Sequence, residues 1–242
     1  MHKSKDQIRE HKIRNREMFN SIAGKYDMIN HVLSGGIDFY WRWRALSKLS
    51  SIEDSLVLDL ATGTGDFSLA ARRFSPRRIV GVDVAREMIK LGVDKVRKYS
   101  FDANFLGGDA ESLPFRSDTY DIVMAAFGVR NFGHIPTGLS EAFRVLRPGG
   151  QLIVLDFCEP TLPIVRGLYL LYFQRILPFL GGLISGERQA YEYLPRSVSD
   201  FPQGDGFLDL MDRAGFIENS ATQLTLGICS IYLGEKKSDF YI

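Results

Sequence analysis

A short apolar strand that runs directly into a glycine-containing turn is the feature that most constrains this chain. Val57–Asp66 reads Val-Leu-Asp-Leu-Ala-Thr-Gly-Thr-Gly-Asp, and a helical pattern begins at Phe67. Gly63 and Gly65 allow the backbone to approach a ligand without a clash from a Cβ atom. In a parallel α/β sheet, such a turn lies at the carboxyl end of a strand, where ligands bind.

The residues around this turn distinguish two classes of nucleotide ligand. A dinucleotide-binding fingerprint carries a third glycine three positions after the second, and Ser68 stands at that position. Asp59 and Asp66 flank the turn, and a pair of carboxylates repels a diphosphate but attracts a cation. Because S-adenosylmethionine carries a sulfonium and an amino group, the acidic residues favour it over a dinucleotide.

The ends of the next two predicted strands add acidic residues. The apolar run 78–83 ends in Asp83, whose carboxylate can accept hydrogen bonds from both ribose hydroxyls. The alternative role of Asp83 is to cap the helix predicted at 85–96. After the third predicted strand, Asp109 can accept a hydrogen bond from the exocyclic amine of adenine, and Leu113-Pro114-Phe115 can form an apolar wall. Together the three strand ends predict the cofactor site of a class I methyltransferase.

Strand and helix patterns alternate through the middle of the chain. Strands are predicted at 56–60, 78–83, 103–107, 120–126 and 150–156, and helices at 66–73, 85–97 and 136–146. A helix at 206–214 and a strand pair at 216–223 and 227–235 follow. This order predicts an α/β, Rossmann-like fold with a seven-stranded, mostly parallel sheet, helices on both faces and right-handed crossovers.

A length of 242 residues fits one α/β domain. We expect a single methyltransferase domain over 1–242 with five parts. These are an N-terminal helical cap (1–50), a cofactor-binding core (51–157), an apolar helical insertion after the fifth strand (158–203), a closing helix and strand pair (204–235) and a tail (236–242).

Composition excludes several classes of protein. A net charge of +1 lacks the basic surface of a nucleic-acid-binding protein, so no nucleic-acid partner is expected. Cys158 and Cys229 match no metal-ligand spacing and no disulfide framework, which favours a reducing cytoplasm and predicts no metal site. No secretory signal begins the chain, and no segment is apolar for long enough to span a bilayer, so membrane contact is expected to be peripheral.

The segment after the fifth predicted strand departs from the alternation. The runs 161–173 and 176–184 are densely apolar and aromatic, with Arg175 between them. Two interpretations remain open, a buried insertion or homodimer face, and a lid over an apolar substrate that also touches the bilayer. The basic residues 1–16 predict a solvated helix, with attraction to anionic lipid as the alternative.

Three further blocks together resemble one family, the ubiquinone/menaquinone biosynthesis C-methyltransferases. They are Tyr26–Ser34 followed by Trp41, Phe127–Asn131, and Arg144–Gly150, and the resemblance extends over about residues 15 to 235. The family often has His where Asp38 stands. It also often has Glu-x-Ser where this chain has Asp156-Phe157-Cys158.

The resemblance implies an activity and a set of site residues. It implies transfer of a methyl group from S-adenosylmethionine to a ring carbon of a polyprenyl quinol. In the menaquinone branch the substrate is demethylmenaquinol, which is favoured because 192–194 and 200–202 resemble menaquinone members. By matching position, Thr64, Asp83, Asp109 and Ala110 are implicated in binding the cofactor, and Arg130 and Asn131 in facing the quinol. The run at 168–179 is expected to form an entry channel for the polyprenyl tail.

The reaction requires alignment, exclusion of water and stabilisation of a developing oxyanion. Arg130 is expected to supply a fixed cation, and Asn131 to orient the oxygen. The alternative is that Arg130 simply pairs with Glu141. The candidates for the proton acceptor are Asp38, Tyr26, Asp27 and His134, and the sequence does not choose between them.

Several other functions remain open on the sequence. They are C-methylation of a polyprenyl benzoquinol in ubiquinone biosynthesis, methylation of a soluble phenol or amine, nicotinamide-dependent oxidation, and non-catalytic binding of the cofactor within an assembly. Ser68 and the acidic turn oppose the nicotinamide alternative. The expected location is the cytoplasm, at the inner face of the cytoplasmic membrane.

Overall fold

One sheet organises the computed structural model, which describes residues 4–172, 175 and 188–238. Its seven strands are Leu56–Leu60 (β1), Arg78–Asp83 (β2), Ala103–Gly107 (β3), Tyr120–Ala126 (β4), Leu146–Phe157 (β5), Ile217–Leu224 (β6) and Cys229–Glu235 (β7). They lie in the order β3-β2-β1-β4-β5-β7-β6. Strands β1 to β5 pair in parallel, and β7 is antiparallel to both β5 and β6. The predicted fold class is confirmed.

Helices connect the parallel strands and cover the sheet. They are Lys5–Leu33 (α1), Ile37–Leu46 (α2), Asp66–Ala71 (α3), Arg86–Tyr99 (α4), Ile135–Val145 (α5), Pro163–Leu171 (α6), Arg188–Ser199 (α7) and Asp205–Ala214 (α8). The first four strands begin and end where the sequence predicts. Strand β5 begins four residues before the predicted 150, because Leu146 pairs with Tyr120 ahead of a register shift.

Alternating residues of the strands bury both faces of the sheet. In β5, Leu152 and Val154 belong to one hydrophobic cluster, which includes residues of α5 and α8. Ile153 and Leu155 belong to the opposite cluster, which includes residues of α2 and α3. Strands that are buried on both faces read as continuous apolar runs, which is why they were recognisable in the sequence.

The N-terminal helix is ordered and joined to the core. Ser4 caps α1, with its hydroxyl accepting from the Gln7 backbone and the Gln7 side chain accepting from the Ser4 backbone. Lys12 forms ion pairs with the core, and Asn15 is only 4% exposed. The described residues of 1–16 form a helix that is mostly exposed, as predicted, but Lys12 and Asn15 hold one side of it against the rest of the domain.

The predicted apolar insertion is described only in part. Helix α6 and helix α7 belong to it, whereas 173–174 and 176–187 lie outside the described residues. Half of the proposed channel run at 168–179 and the tail residues 239–242 are likewise outside them. The division of the chain into five parts stays a prediction.

A close packing contact holds the glycine turn against helix α4. A Cβ atom added to Gly92 would lie 2.6 Å from the ring of Phe105 and 3.4 Å from the backbone of Thr64. The same ring lies 2.6 Å from a Cβ atom built on Gly65, where φ is +81°. Glycine at 92 therefore lets α4 approach the turn that follows β1.

We expect Gly92→Ala to lower the free energy of unfolding by about 1–2 kcal/mol, because overpacking outweighs the better helix propensity of alanine. Gly24→Ala in α1 is the matched control, since nothing lies within 4 Å of its added Cβ. That substitution should raise stability by up to about 1 kcal/mol. Chemical denaturation measures both, and a Gly92 variant as stable as the wild type would show that the ring of Phe105 can move away.

Candidate active site

A cleft of about 110 Å³ lies at the carboxyl ends of β1, β2 and β4. The strand order reverses between β1 and β4, and such a switch point opens a crevice outside the strand ends. Gly63, with φ +56°, lets the turn after β1 pass along this cleft. The predicted cofactor residues Asp59, Thr64, Asp83, Asp109 and Ala110 line it too, whereas Gly65 does not.

Asp59 is a buried carboxylate with one unsatisfied oxygen. Its Oδ2 accepts hydrogen bonds from Thr62 Oγ1 at 2.8 Å and Ser68 Oγ at 2.6 Å. Its Oδ1 is buried without a hydrogen-bond partner among the described residues. Burial raises the pKa of Asp59 to about 6. Asp59 can therefore accept a cationic donor in the cleft.

Asp83 holds the glycine turn and the start of α4 together. Its Oδ2 accepts from the backbone N–H of Gly63, and its Oδ1 accepts from the backbone N–H of Ala85, both at 2.8 Å. Burial raises the pKa of Asp83 although these bonds oppose the shift. A carboxylate has further lone pairs, so Asp83 can still accept hydroxyl donors.

Asp109 and Glu111 bind the N-terminal helix through Lys12. Lys12 Nζ lies 2.7 Å from Asp109 Oδ2 and 2.8 Å from Glu111 Oε2. Glu111 Oε1 in turn accepts from the backbone of Gly133 at 2.7 Å. These contacts place α1 along the side of the cleft formed by the loop after β3.

Asp66, the second carboxylate beside the glycine turn, is paired with cations of the protein. Lys95 Nζ is ion-paired with Asp66, and Arg42 Nη2 lies 3.7 Å from its Oδ2. Burial opposes ionisation, but these cations lower the pKa of Asp66. Lys95 also pairs with Asp27 and Arg42 with Asp38, so the two cations are shared among three carboxylates. Asp66 therefore keeps its acidic character, but its oxygens are engaged by cations of the protein.

A larger, mostly apolar cavity of about 660 Å³ adjoins the cleft. Phe19, Tyr26, Arg42 and Phe127 line both spaces and form their common wall. Phe127 has φ +57°, an uncommon conformation for an aromatic residue, and it turns the chain after β4. A ligand in the cleft and a ligand in the cavity could therefore contact the same four side chains.

Arg130 lies on the wall of the larger cavity and is clamped by the end of β5. Its Nη1 donates to Asp156 Oδ1 at 2.6 Å, and its backbone N–H donates to Asp156 Oδ2 at 3.2 Å. Its Cζ lies 5.3 Å from the centroid of the Phe157 ring. Burial disfavours the charge, but Asp156 outweighs this and raises the pKa of Arg130. The alternative pairing with Glu141 is wrong, because Glu141 pairs with Arg144.

The other predicted catalytic residues occupy different positions. Tyr26 and Asp38 line the larger cavity, but Asn131 lines only the smaller cleft. The side chain of Asn131 accepts from Tyr193 at 3.1 Å. Among the described residues, Asp38 is the only carboxylate on the larger cavity's wall.

Two candidate proton acceptors lie away from both spaces. Asp27 accepts from Thr64 Oγ1 and lies 2.6 Å from Lys95 Nζ. His134 precedes α5, and its Nδ1 lies 2.7 Å from Thr137 Oγ1. Neither lines the cleft or the cavity, so neither is placed to receive a proton from a ligand there.

Sequence analysis missed Lys12, Asn15, Arg42 and Asp156 as site residues. The spacing of Asp38 and Arg42 is the one local signal, because residues four apart share a helix face. The pair between Lys12 and Asp109 spans 97 positions, which no local pattern indicates. Within the part of the chain that the structure describes, no cluster of three His, Cys, Asp or Glu side chains is placed to hold a metal.

The pKa of Asp59 predicts a pH dependence for cofactor binding. Below a pKa of about 6 the carboxyl is protonated, so it loses the negative charge that attracts an ammonium group. The affinity for S-adenosylhomocysteine should therefore fall, by up to about tenfold per pH unit below that pKa. Calorimetry from about pH 8 to about pH 5 measures this.

Asp59→Asn should bind more weakly near pH 8 and lose that slope, because its side chain does not titrate. Asp102→Asn is the control, since this carboxylate is 55% exposed and lies outside the cleft. It should keep the wild-type slope. A wild-type slope in Asp59→Asn would assign the titration to another group.

Comparisons with a family model and with known proteins agree on one family. The ubiE/COQ5 methyltransferase family matches residues 5–236. The ubiquinone/menaquinone biosynthesis C-methyltransferase UbiE of Geotalea daltonii is 43% identical over 224 residues, 91% of this chain and 95% of that protein. The demethylmenaquinone methyltransferase of Thermus thermophilus is 42% identical over 220 residues, 90% of this chain and 100% of that protein.

A solved structure supports the fold. The S-adenosylmethionine-dependent methyltransferase of Thermotoga maritima, a possible histamine N-methyltransferase, matches with a TM-score of 0.66 and 19% identity. The match covers 91% of this chain and 99% of that one. Since the family match extends over nearly the whole sequence and relatives above 40% identity cover nine-tenths of it, this chain belongs to the ubiE/COQ5 methyltransferase family.

Proposed function

We propose that this chain transfers a methyl group from S-adenosylmethionine to a ring carbon of demethylmenaquinol, giving menaquinol and S-adenosylhomocysteine. The observation that carries the proposal is the apolar cavity of about 660 Å³ that shares a wall with the strand-end cleft. An apolar space with a buried arginine suits a prenylated ring that carries a hydroxyl. The relatives named for demethylmenaquinone favour this substrate.

The residues of the cleft fit S-adenosylmethionine. The unpartnered Oδ1 of Asp59 suits its amino group, and Asp83 suits the ribose hydroxyls. Gly63, Thr64 and the 109–110 loop complete the proposed cofactor set, and Gly65 acts by shaping the turn. When bound, the cofactor supplies an electrophilic methyl group, and its sulfur keeps the electron pair of the broken bond.

Arg130 is the proposed electrostatic catalyst. The ring carbon becomes a stronger nucleophile when the neighbouring hydroxyl loses its proton, and a buried guanidinium stabilises the resulting oxyanion. Asp156 holds Arg130 in place and keeps it charged. Asn131 is placed by Tyr193 on the cofactor side, so its proposed part is to orient the reacting edge of the ring rather than to contact the tail.

Asp38 is the proposed proton acceptor. Burial raises the pKa of Tyr26 above its ordinary value, so this phenol is protonated near neutral pH and is not available as a base. Asp38 lines the cavity as a carboxylate and contacts His31 Nδ1 at 2.8 Å. After methyl transfer the ring carbon releases its own proton, and the net reaction yields one proton.

The direct test is a purified assay with S-adenosylmethionine and short-tailed demethylmenaquinol, with methylated quinol detected by mass spectrometry. Arg130→Gln should lower kcat/KM by about 100-fold or more, as for loss of an oxyanion donor. Its affinity for S-adenosylhomocysteine should stay within about twofold. Arg213→Gln on α8 is the surface control and should match the wild type.

Other outcomes of the same assay identify the rivals. Faster turnover of a prenylated benzoquinol would assign the chain to ubiquinone biosynthesis, and turnover of soluble phenols alone would refute a quinol substrate. Binding of NAD without S-adenosylhomocysteine would refute the methyl donor. Full activity of Arg130→Gln would remove Arg130 from the mechanism.

We further propose that the mouth of the larger cavity contacts the inner face of the cytoplasmic membrane. Leu168 and Leu226 both line the cavity and are about two-thirds exposed, at 66% and 67%, so they mark its opening. Other exposed apolar side chains lie on the adjoining α1, α2 and α6 segments: Met28, Val32, Phe39, Tyr40, Trp43, Leu162, Ile164 and Leu171. Among the described residues, no helix is long and apolar enough to cross a bilayer.

Flotation with phosphatidylglycerol–phosphatidylethanolamine vesicles tests the membrane contact. Ile164→Glu combined with Leu168→Glu should lower the bound fraction several-fold, since each removes apolar area from the interface. Ile217→Glu, on the edge strand β6, is the matched control and should float as the wild type does. If the double variant instead converts a dimer to a monomer with flotation unchanged, this face is a homodimer interface.

A further inference from the structure

Two buried arginines on the wall of the larger cavity are held in the same way. Arg42 Nη1 pairs with Asp38, four residues earlier on α2, and Arg130 Nη1 pairs with Asp156. The guanidinium carbon of each lies 5.3 Å from the centroid of an aromatic ring, Phe127 for Arg42 and the neighbouring Phe157 for Arg130. The side chains are 8% and 5% exposed.

Each arginine also has an unused donor. The Nε atoms of Arg42 and Arg130 are both buried and lack a hydrogen-bond partner among the described residues. A buried N–H without an acceptor is costly, and native proteins rarely leave one unsatisfied. Both arginines line the larger cavity, so a ligand with two acceptors there would satisfy both donors.

The surroundings of the two donors favour a ring with oxygens on opposite edges. Tyr26 lines the same cavity as both arginines, and the rings of Phe127 and Phe157 beneath the two guanidinium groups lie 4.6 Å apart. Most of the remaining wall is apolar. A ring with one hydroxyl can satisfy one Nε, whereas a 1,4-dihydroxylated ring can reach a donor with each oxygen.

We propose that Arg42 is a second substrate-binding cation, which donates from Nε to the ring oxygen opposite the one held by Arg130. The pair then selects aromatic rings that carry two para oxygens over rings that carry one. This inference rests on the proposed function, and it identifies the two para oxygens as the feature of the substrate that the site recognises.

Arg42 has one alternative role, which is to bind the cofactor. It also lines the smaller cleft, and its Nη2 lies 3.7 Å from Asp66. From there it could hold the carboxylate of the cofactor instead of the substrate. The two roles differ in which ligand loses affinity when Nε is removed.

Arg42→Lys separates the roles, because it keeps a cation beside Asp38 and Asp66 but removes Nε. Arg44→Lys, two residues along α2 and away from both spaces, is the matched control. Calorimetry with S-adenosylhomocysteine present would compare a short-tailed 1,4-naphthalenediol with the matching one-hydroxyl naphthol, under anaerobic reducing conditions. The ratio of kcat/KM for the same two ligands gives a second readout.

The wild type and Arg44→Lys should bind the diol more tightly than the naphthol. Arg42→Lys should lower that preference by roughly tenfold or more, the usual effect of one hydrogen bond to a charged group. Its affinities for the naphthol and for S-adenosylhomocysteine should change by less than about twofold.

Three results would overturn the assignment. Equal weakening of both aromatic ligands would make Arg42 a structural residue. A fall in S-adenosylhomocysteine affinity with an unchanged preference would place Arg42 on the cofactor. A wild type that binds S-adenosylhomocysteine but neither aromatic ligand would overturn the proposed function as well, and is thus distinguishable from failure of this inference alone.

Discussion

Desolvation of carboxylates at the ends of the parallel strands is the constraint on which the site depends. Asp59, Asp83 and Asp156 lie at the carboxyl ends of β1, β2 and β5, and all are buried. A buried carboxylate must be compensated, and each is compensated differently. Hydroxyls hold one oxygen of Asp59, backbone N–H groups hold Asp83, and the guanidinium of Arg130 holds Asp156. These differences distinguish the part of the sheet edge at the smaller cleft from the part at the larger cavity.

The N-terminal helices complete both sides. Helix α1 supplies Lys12 to the loop after β3, and its Asn15 donates to the backbone of Asn131 and to Tyr193. Helix α2 supplies the buried pair of Asp38 and Arg42 to the larger cavity. Because one long helix lines the smaller cleft near its start and the larger cavity near its end, the position of the cap and the shape of both spaces are coupled.

Some of this arrangement could be predicted from the sequence. The parallel strands were recognisable because apolar runs alternate with amphipathic helices, and their carboxyl ends identified Asp59, Asp83 and Asp109 as neighbours. Arg130 was recognisable only because the block after β4 resembles the family. The site roles of Lys12, Asn15 and Arg42 were not recognisable. A charged or polar residue on a helix is expected to face solvent unless the partner that buries it is known.

The sequence alone determined the succession of strands and helices along the chain, because it follows from local periodicity. With the short connections of a parallel sheet, that succession also indicated which strand ends would lie together. The tertiary structure decided which charges remain free to bind a ligand. Lys95 and Arg42 engage the oxygens of Asp66, whereas Asp59 keeps one oxygen without a partner among the described residues. That difference depends on residues far apart in the chain, because compensation of a buried charge is a matter of distance in space rather than of position in sequence.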